Sequence, residues 1–386
     1  MTALAHGIGR SQDLPLPLDL VLQAGAAAVV VSFLVVAFWW RRPRLTDGGV
    51  RTVAPPGVKL VARLLALAAS LSVVGVALAG PPAPRNPAPY ALFAGLWVGL
   101  VPLSLLLGPV WRAVNPLRTV FRALRLPRHG FRPAKADGSA GRWPAALALL
   151  AFVWFELAAP HRDEPVMVGL WLVAYGLVQL GAAALRGEEW FARGDCFEVY
   201  STLAGRLSPL HRRRPLAAVA GTPVDAGVAA FLAVWWGSTV FDSASASVAW
   251  ADFVQRAGTP LLYLTAGLVL MCAVVYAGIR GLPGGPAVTP SLIPIAAAYT
   301  LAHYLTLLLS GPGARTAVPA PGAVAAAQVT LILLGHVLGV IVAHELSLRA
   351  ARGRPGPAAL ADELPVVLLM IAFTWAGLFL LLTPVS

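Results

Sequence analysis

Apolar runs long enough to cross a hydrocarbon core of about 30 Å recur from one end of this chain to the other. In lipid the backbone polar groups must be satisfied within each segment, so such runs are read as transmembrane helices. Ten spans are expected, with edges good to a few residues: about 18–40, 59–80, 89–111, 143–160, 165–185, 224–241, 259–279, 289–310, 323–346 and 364–384. Composition agrees. Hydrophobic residues make up 58% of the 386 positions and charged ones 12%, where a soluble domain carries about twice that charge. The expectation is an all-α, polytopic transmembrane helical bundle. It forms a single integral membrane domain over residues 1–386, multi-pass in the cell (plasma) membrane.

Charge then sets the orientation. With both termini outside, 24 of the 29 Lys and Arg residues fall in or beside cytoplasmic loops, leaving Arg10, Arg85, Arg162, Arg256 and Arg315 outside. The positive-inside rule favours this topology over its inverse. It also accounts for the net charge of +12 without a nucleic-acid partner. The first run is not a cleaved signal peptide: it is too long, follows a polar leader, and ends in Trp39-Trp40-Arg41-Arg42-Pro43-Arg44. Two cysteines, Cys196 in a cytoplasmic loop and Cys272 in a span, make no disulfide framework.

Several local features bear on organisation. The leader from His6 through Arg10 to Pro15 reads either as a polar tail or as a lid over an outward-facing site. Pro102 predicts a kink in the third span. Residues 112–142 form a basic cytoplasmic loop. Within it, Arg118, Arg122 and Arg125 stand at helical spacing opposite Val120, Phe121 and Leu124, a basic amphipathic helix on the inner leaflet. Attraction to anionic lipid is sufficient to explain it. Pro133 to Gly141 reads as a linker. Residues 186–223 form a second cytoplasmic, amphipathic loop, read as an interfacial helix with Asp195 as N-cap, Glu198 completing a variant capping box and Cys196 a bystander.

Ionisable residues within spans are costly and mark candidate sites. In the eighth span Tyr299, His303, Thr306 and Ser310 form one polar stripe, which suits either helix–helix hydrogen bonding or a cavity. In the ninth, His336 lies near the midplane, while His344 and Glu345 at the inner edge read as a snorkelling pair. Gly335 and Gly339, at GxxxG spacing, admit a close helix neighbour. Glu156 lies within a turn of the outer surface, and Trp235, Thr239 and Asp242 share one helix face. By depth alone, His303 and His336 are separated by roughly 7 Å along the membrane normal. On that basis Glu156, Asp242, His303 and His336 are expected to share an outward-facing cavity. His303 and His336 are its candidate ligands for a divalent metal such as Zn²⁺, and Glu156, Asp242 and His303 its candidate catalytic or proton-relaying groups.

Taken together, His6-Gly7, Arg10, Asp13-Leu14-Pro15, Asn115-Pro116-Leu117-Arg118, Trp154-Phe155-Glu156-Leu157, Gly335-His336-Val337 and Ala343-His344-Glu345 resemble the polytopic actinobacterial membrane proteins labelled fenitrothion hydrolase. The resemblance implies hydrolysis of phosphotriesters or related phosphate esters. A metal on His303 and His336 would activate water, with Glu156 or Asp242 as base. No GxSxG, P-loop, CxxC or HExxH motif accompanies it. The same residues serve a transporter or permease that carries protons or an ion, or a membrane factor that holds a metal in transit. Expected partners are membrane lipids, the anionic inner leaflet above all, and a small apolar molecule or ion.

The topology predicts that a cysteine introduced at position 138 is shielded from an impermeant reagent in intact cells and reacts once they are permeabilised. Labelling from outside would reverse the orientation.

Overall fold

The computed structural model describes residues 17–46, 48–51, 56–132, 141–281, 285–309, 320–351 and 356–382. The leader carrying His6, Arg10 and Asp13, residues 133–140 of the expected linker, and Ser310 lie outside the described residues. The architecture is an all-α helical bundle. In chain order its main helices are α1 (Leu18–Trp39), α2 (Pro56–Ala79), α3 (Leu100–Leu107), α4 (Pro116–Ala123), α5 (Trp143–Leu157) and α6 (Pro165–Arg186). There follow α7 (Cys196–Ala204), α8 (Ala226–Ser245), α9 (Pro260–Gly281), α10 (Leu292–His303), α11 (Pro321–Ala351) and α12 (Gly356–Leu382).

Seven helices among the described residues are long and apolar enough to cross a membrane: α1, Gly57–Ala79, Ala88–Leu107, α6, α9, Pro321–Ala350 and Leu364–Leu382. They coincide with seven of the ten expected spans. The other three depart from a plain apolar span for identifiable reasons. Helix α5 has 15 residues, which is roughly 22 Å. Helix α8 has 20, but its last third brings in Thr239, Asp242, Ser243 and Ser245. The run expected at 289–310 stops as a helix at His303 and resumes as the short Leu305–Leu309.

The chain divides into two compact units. One contains α1, α9 to α12 and α8 from Leu232 onward; the other contains α2 to α7. In the first unit α10 packs antiparallel on α11. Gln328 donates to the Ala302 carbonyl (2.9 Å), while Gly335 and Gly339 back onto Pro294, Ile295 and Ala298 further up α10. A Cβ on Gly335 would lie 2.5 Å from the Ala298 Cβ, so the expected close approach is real and α10 is its partner.

Two expectations are refined in the second unit. The irregularity expected at Pro102 does not sit at the proline itself but in the turn before it, up to Val98, four residues back. Residues Ala91–Val98 are π-helical, and the wide turn closes where Gly99 N–H donates to the Ala94 carbonyl (2.9 Å). Pro102 lies inside the continuous helix Ala88–Leu107, and the wide turn accommodates its ring and its missing N–H. Helix α7 is not interfacial either. All its residues except Thr202 are buried, Tyr200 stacks on Trp97 (centroids 4.6 Å apart) and Phe197 packs edge-on to Phe152 (5.2 Å). Its polar positions, Glu198, Ser201 and Thr202, share one face, but Glu198 and Ser201 are turned inward and paired with Arg118 (2.7 Å) and Ser104 (2.8 Å).

Replacing Gly335 with Val forces two packed backbones apart. The expected loss is about 1–3 kcal/mol, the usual range for overpacking, read as a lower melting temperature in detergent. An unchanged melting temperature would show that the α10–α11 contact tolerates separation.

Candidate functional site

The polar ends of α8 and α10 meet in the first unit. Trp235 Nε1 donates to Thr300 Oγ1 (2.9 Å), which sets the register one to two turns before the polar cluster. Asp242, seven residues after Trp235, then faces His303, whose Nε2 lies 2.9 Å from Asp242 Oδ2. Tyr304 donates to the same carboxylate oxygen (3.0 Å). The other imidazole nitrogen, Nδ1, lies 3.1 Å from Ser243 Oγ, which in turn is 3.0 Å from the Tyr299 hydroxyl. The result is one continuous chain: Tyr299, Ser243, His303, Asp242, Tyr304. Its members are 2–8% exposed.

Proton bookkeeping shows what this chain can do. With Asp242 ionised, the hydrogens converge on it: Tyr299 to Ser243, Ser243 to Nδ1 and Nε2–H to the carboxylate from one side, and Tyr304 from the other. An added proton gives either an imidazolium facing a carboxylate, or a carboxylic acid facing an Nε2 lone pair. In either state Nδ1–H donates to Ser243, and the serine proton turns to the Thr239 carbonyl, 3.2 Å away. Both states keep the groups hydrogen-bonded, so neither leaves a buried orphan of the kind that costs most in an apolar interior.

The predicted residues are thus only partly assembled. Asp242 and His303 touch directly. Glu156 stands half-buried on α5, in the second unit. His336 is buried, and its Nδ1 donates back along its own helix to the Ile332 carbonyl (2.8 Å). Its Nε2 has no hydrogen-bond partner among the described residues. Gln328, which touches Ala302 beside His303, precedes His336 by eight residues, about 12 Å along the axis. The Gly335–Ala298 contact gives a smaller offset, so the two helices leave His303 and His336 roughly 8–12 Å apart along the axis. That separation does not bring His303 and His336 around one ion. Both nitrogens of His303 are already engaged. No group of three or more His, Cys, Asp or Glu among the described residues is arranged to hold a metal.

His344 and Glu345 do not snorkel. Glu345 is fully buried and accepts from Trp40 Nε1 (3.1 Å), Arg44 N–H (2.8 Å) and Arg349 Nε (3.0 Å). His344 Nε2 donates to the Trp40 carbonyl (2.8 Å). Together they satisfy backbone groups left over where α1 ends, a structural clamp.

A second polar constellation organises the other unit. Asn115 caps α4, accepting from Leu117 and Arg118 N–H, and its amide donates to Asp195 (2.7 Å) and Glu198 (3.1 Å). Asp195 caps α7 as expected, through Phe197 and Glu198 N–H. Glu198 does not close a capping box. It is held by a two-pronged contact from Arg118 (2.7 Å to each oxygen) instead. Arg118 therefore lies on the buried side of α4, not on the lipid-facing stripe. Cys196 is no bystander in packing terms: it is buried, 3.3 Å from the Tyr175 hydroxyl. At the margin, Glu188 takes Arg118 (3.2 Å) and Arg122 (2.5 Å). Burial works to raise the Glu188 carboxyl, but the Arg122 and Arg118 contacts prevail and hold it below its ordinary value.

Ser243 and Tyr304 were missed from sequence. Ser243 falls just beyond the span expected at 224–241, yet α8 continues to Ser245, and the i, i+3, i+4 pattern of Thr239, Asp242 and Ser243 is the available signal. No family model, curated protein or solved structure matches the chain.

Glu198→Ala would leave Arg118 buried beside an empty space. A loss of about 3–5 kcal/mol is expected, measured as thermal stability of the purified protein, with Glu198→Gln retaining part of it. Parent-like stability in Glu198→Ala would show that water reaches Arg118.

Proposed function

We propose that the first unit houses an intramembrane proton relay, and that the protein is a proton-coupled permease for a small ion or molecule. The observation that carries this is the unbroken Tyr299–Ser243–His303–Asp242–Tyr304 chain, buried throughout. A proton needs no cavity to pass along it, only groups that exchange donor and acceptor roles. Ionisable residues kept within spans at an energetic cost commonly serve that purpose. On the orientation that the loop charges favour, the chain lies in the outer half of the membrane. Its carboxylate end would load from the outer side, with Asp242 and His303 sharing the proton and Ser243 passing it on.

A hydrolase is the second reading, favoured by one geometric point. The order Ser243–His303–Asp242 is that of a nucleophile, base and orienting acid. This agrees with the resemblance to the fenitrothion hydrolase group. In that case Ser243 Oγ would attack the phosphorus or acyl centre while His303 takes its proton. Weighing against it, Ser243 is buried and its hydroxyl is shared with Tyr299 and the Thr239 carbonyl, so an ester could reach it only after α8 and α10 part.

Proteoliposomes with an imposed pH gradient and an internal pH dye separate the two. His303→Gln and Asp242→Asn are expected to cut proton uptake by about tenfold or more while the protein stays folded. Parent-like uptake in His303→Gln would sink the relay. Hydrolysis of an apolar phosphotriester, lost in Ser243→Ala and undisturbed by collapsing the gradient, would establish the enzyme instead.

A further inference from the structure

A cavity of about 300 Å³ opens in the second unit beside α4. Five arginines line it, Arg63, Arg112, Arg118, Arg122 and Arg128, against Glu188 and Glu189. The volume is at the lower end for a small-ligand site, but such sites are normally lined mainly by apolar groups. This lining is almost wholly charged, and positive in balance. The charges are not all answered within the fold. Arg118 is taken up by Glu198 and Arg122 by Glu188. Among the described residues Arg63 uses its Nε, on the Ala113 carbonyl (2.9 Å), and its side chain lines the cavity. Arg112 is 3.9 Å from Glu198, beyond hydrogen-bond reach, and 53% exposed. No hydrogen bond or ion pair of the Arg128 guanidinium is found among the described residues.

Five guanidinia against two carboxylates leave this small cavity with a surplus of positive charge that favours an anion. Arginine forks match the oxygens of a phosphate better than any other common anion except carboxylate, and they can engage it two oxygens at a time. We propose that this cavity is a binding site for a phosphate monoester group, held by Arg63, Arg112 and Arg128 and braced by the Arg118–Glu188–Arg122 ion network. The diffuse lipid attraction expected of a basic amphipathic helix is different: it needs no cavity and no fixed stems. The site adjoins the first turns of α2, on the side that the loop charges assign to the cytoplasm. A phosphomonoester there comes either from a lipid headgroup in the inner leaflet or from a soluble phosphate.

The test uses the full chain in nanodiscs, followed by thermal unfolding. One arm compares phosphatidylcholine discs with discs that also contain phosphatidic acid. The other adds inorganic phosphate to discs of phosphatidylcholine alone. Stabilisation in the first arm only assigns a lipid headgroup; stabilisation in the second assigns a soluble phosphate. Arg112→Gln/Arg128→Gln should weaken the effective ligand by about tenfold. Arg125→Gln/Arg132→Gln, which removes the same charge from outside the cavity, should leave binding within about twofold. Should the double cavity variant fail to fold, either single substitution reads the same loss. No stabilisation in either arm, or equal losses in the cavity and control variants, overturns the proposal.

Discussion

A buried carboxylate survives in an apolar bundle only if every lone pair finds a donor, and Glu198 is where this chain meets that demand most completely. Arg118 grips both its oxygens, and Asn115 donates to one of them as well. The same Asn115 caps α4 and reaches Asp195, which caps α7. Two helix starts, an ion pair and an amide therefore depend on one another. Desolvating either charge alone would cost several kcal/mol, so the network forms as a unit. That interdependence is what allows α7, a helix with two acids at its head, to lie in the core against Trp97 and Phe152 rather than on the surface.

The first unit handles the same cost differently. Its buried carboxylate, Asp242, is paired with the His303 imidazole and the Tyr304 hydroxyl rather than with arginine. An arginine never gives up its proton, so Arg118 holds a fixed charge against Glu198. Histidine can, so the Asp242 network has more than one arrangement of hydrogens at little difference in hydrogen-bond count. Rigid charge serves architecture; exchangeable charge serves chemistry. Glu345 belongs with the first kind, since Arg349, Trp40 and the Arg44 backbone hold it in one state. The helices that carry the exchangeable cluster are those least like plain spans: α8 ends in hydroxyls and an acid, and α10 breaks at the residues that form the chain.

Much of the architecture was legible in the residues alone. Long apolar runs have one economical solution in lipid, so helices at 18–40, 59–80 or 165–185 needed no tertiary information. The Gly335/Gly339 pair announced a close helix contact because absent side chains leave a groove whatever the partner. Asp195 was readable as an N-cap for an equally local reason: the bonds it makes span two and three residues. The polarity of Trp235, Thr239 and Asp242 on one face likewise followed from helical periodicity, and the Asp242–His303 contact realises it.

What the sequence could not decide were pairings between distant segments. Capping-box spacing at Glu198 looked local, but Arg118, 80 residues away, offers a charge where the N-cap backbone offers only a dipole. Depth along a span ranks residues on the membrane normal without fixing which way each helix face turns, so it could not decide whether His303 and His336 meet. Amphipathicity could not tell an interfacial helix from α7, because a buried helix that keeps its polar groups paired inside shows the same alternation. Ser243 and Tyr304 joined the candidate site for a related reason: a helix that runs one turn past its apolar stretch is stabilised by partners across the bundle. Local residues set which groups would be costly to bury; only the packed chain decided which of them would meet.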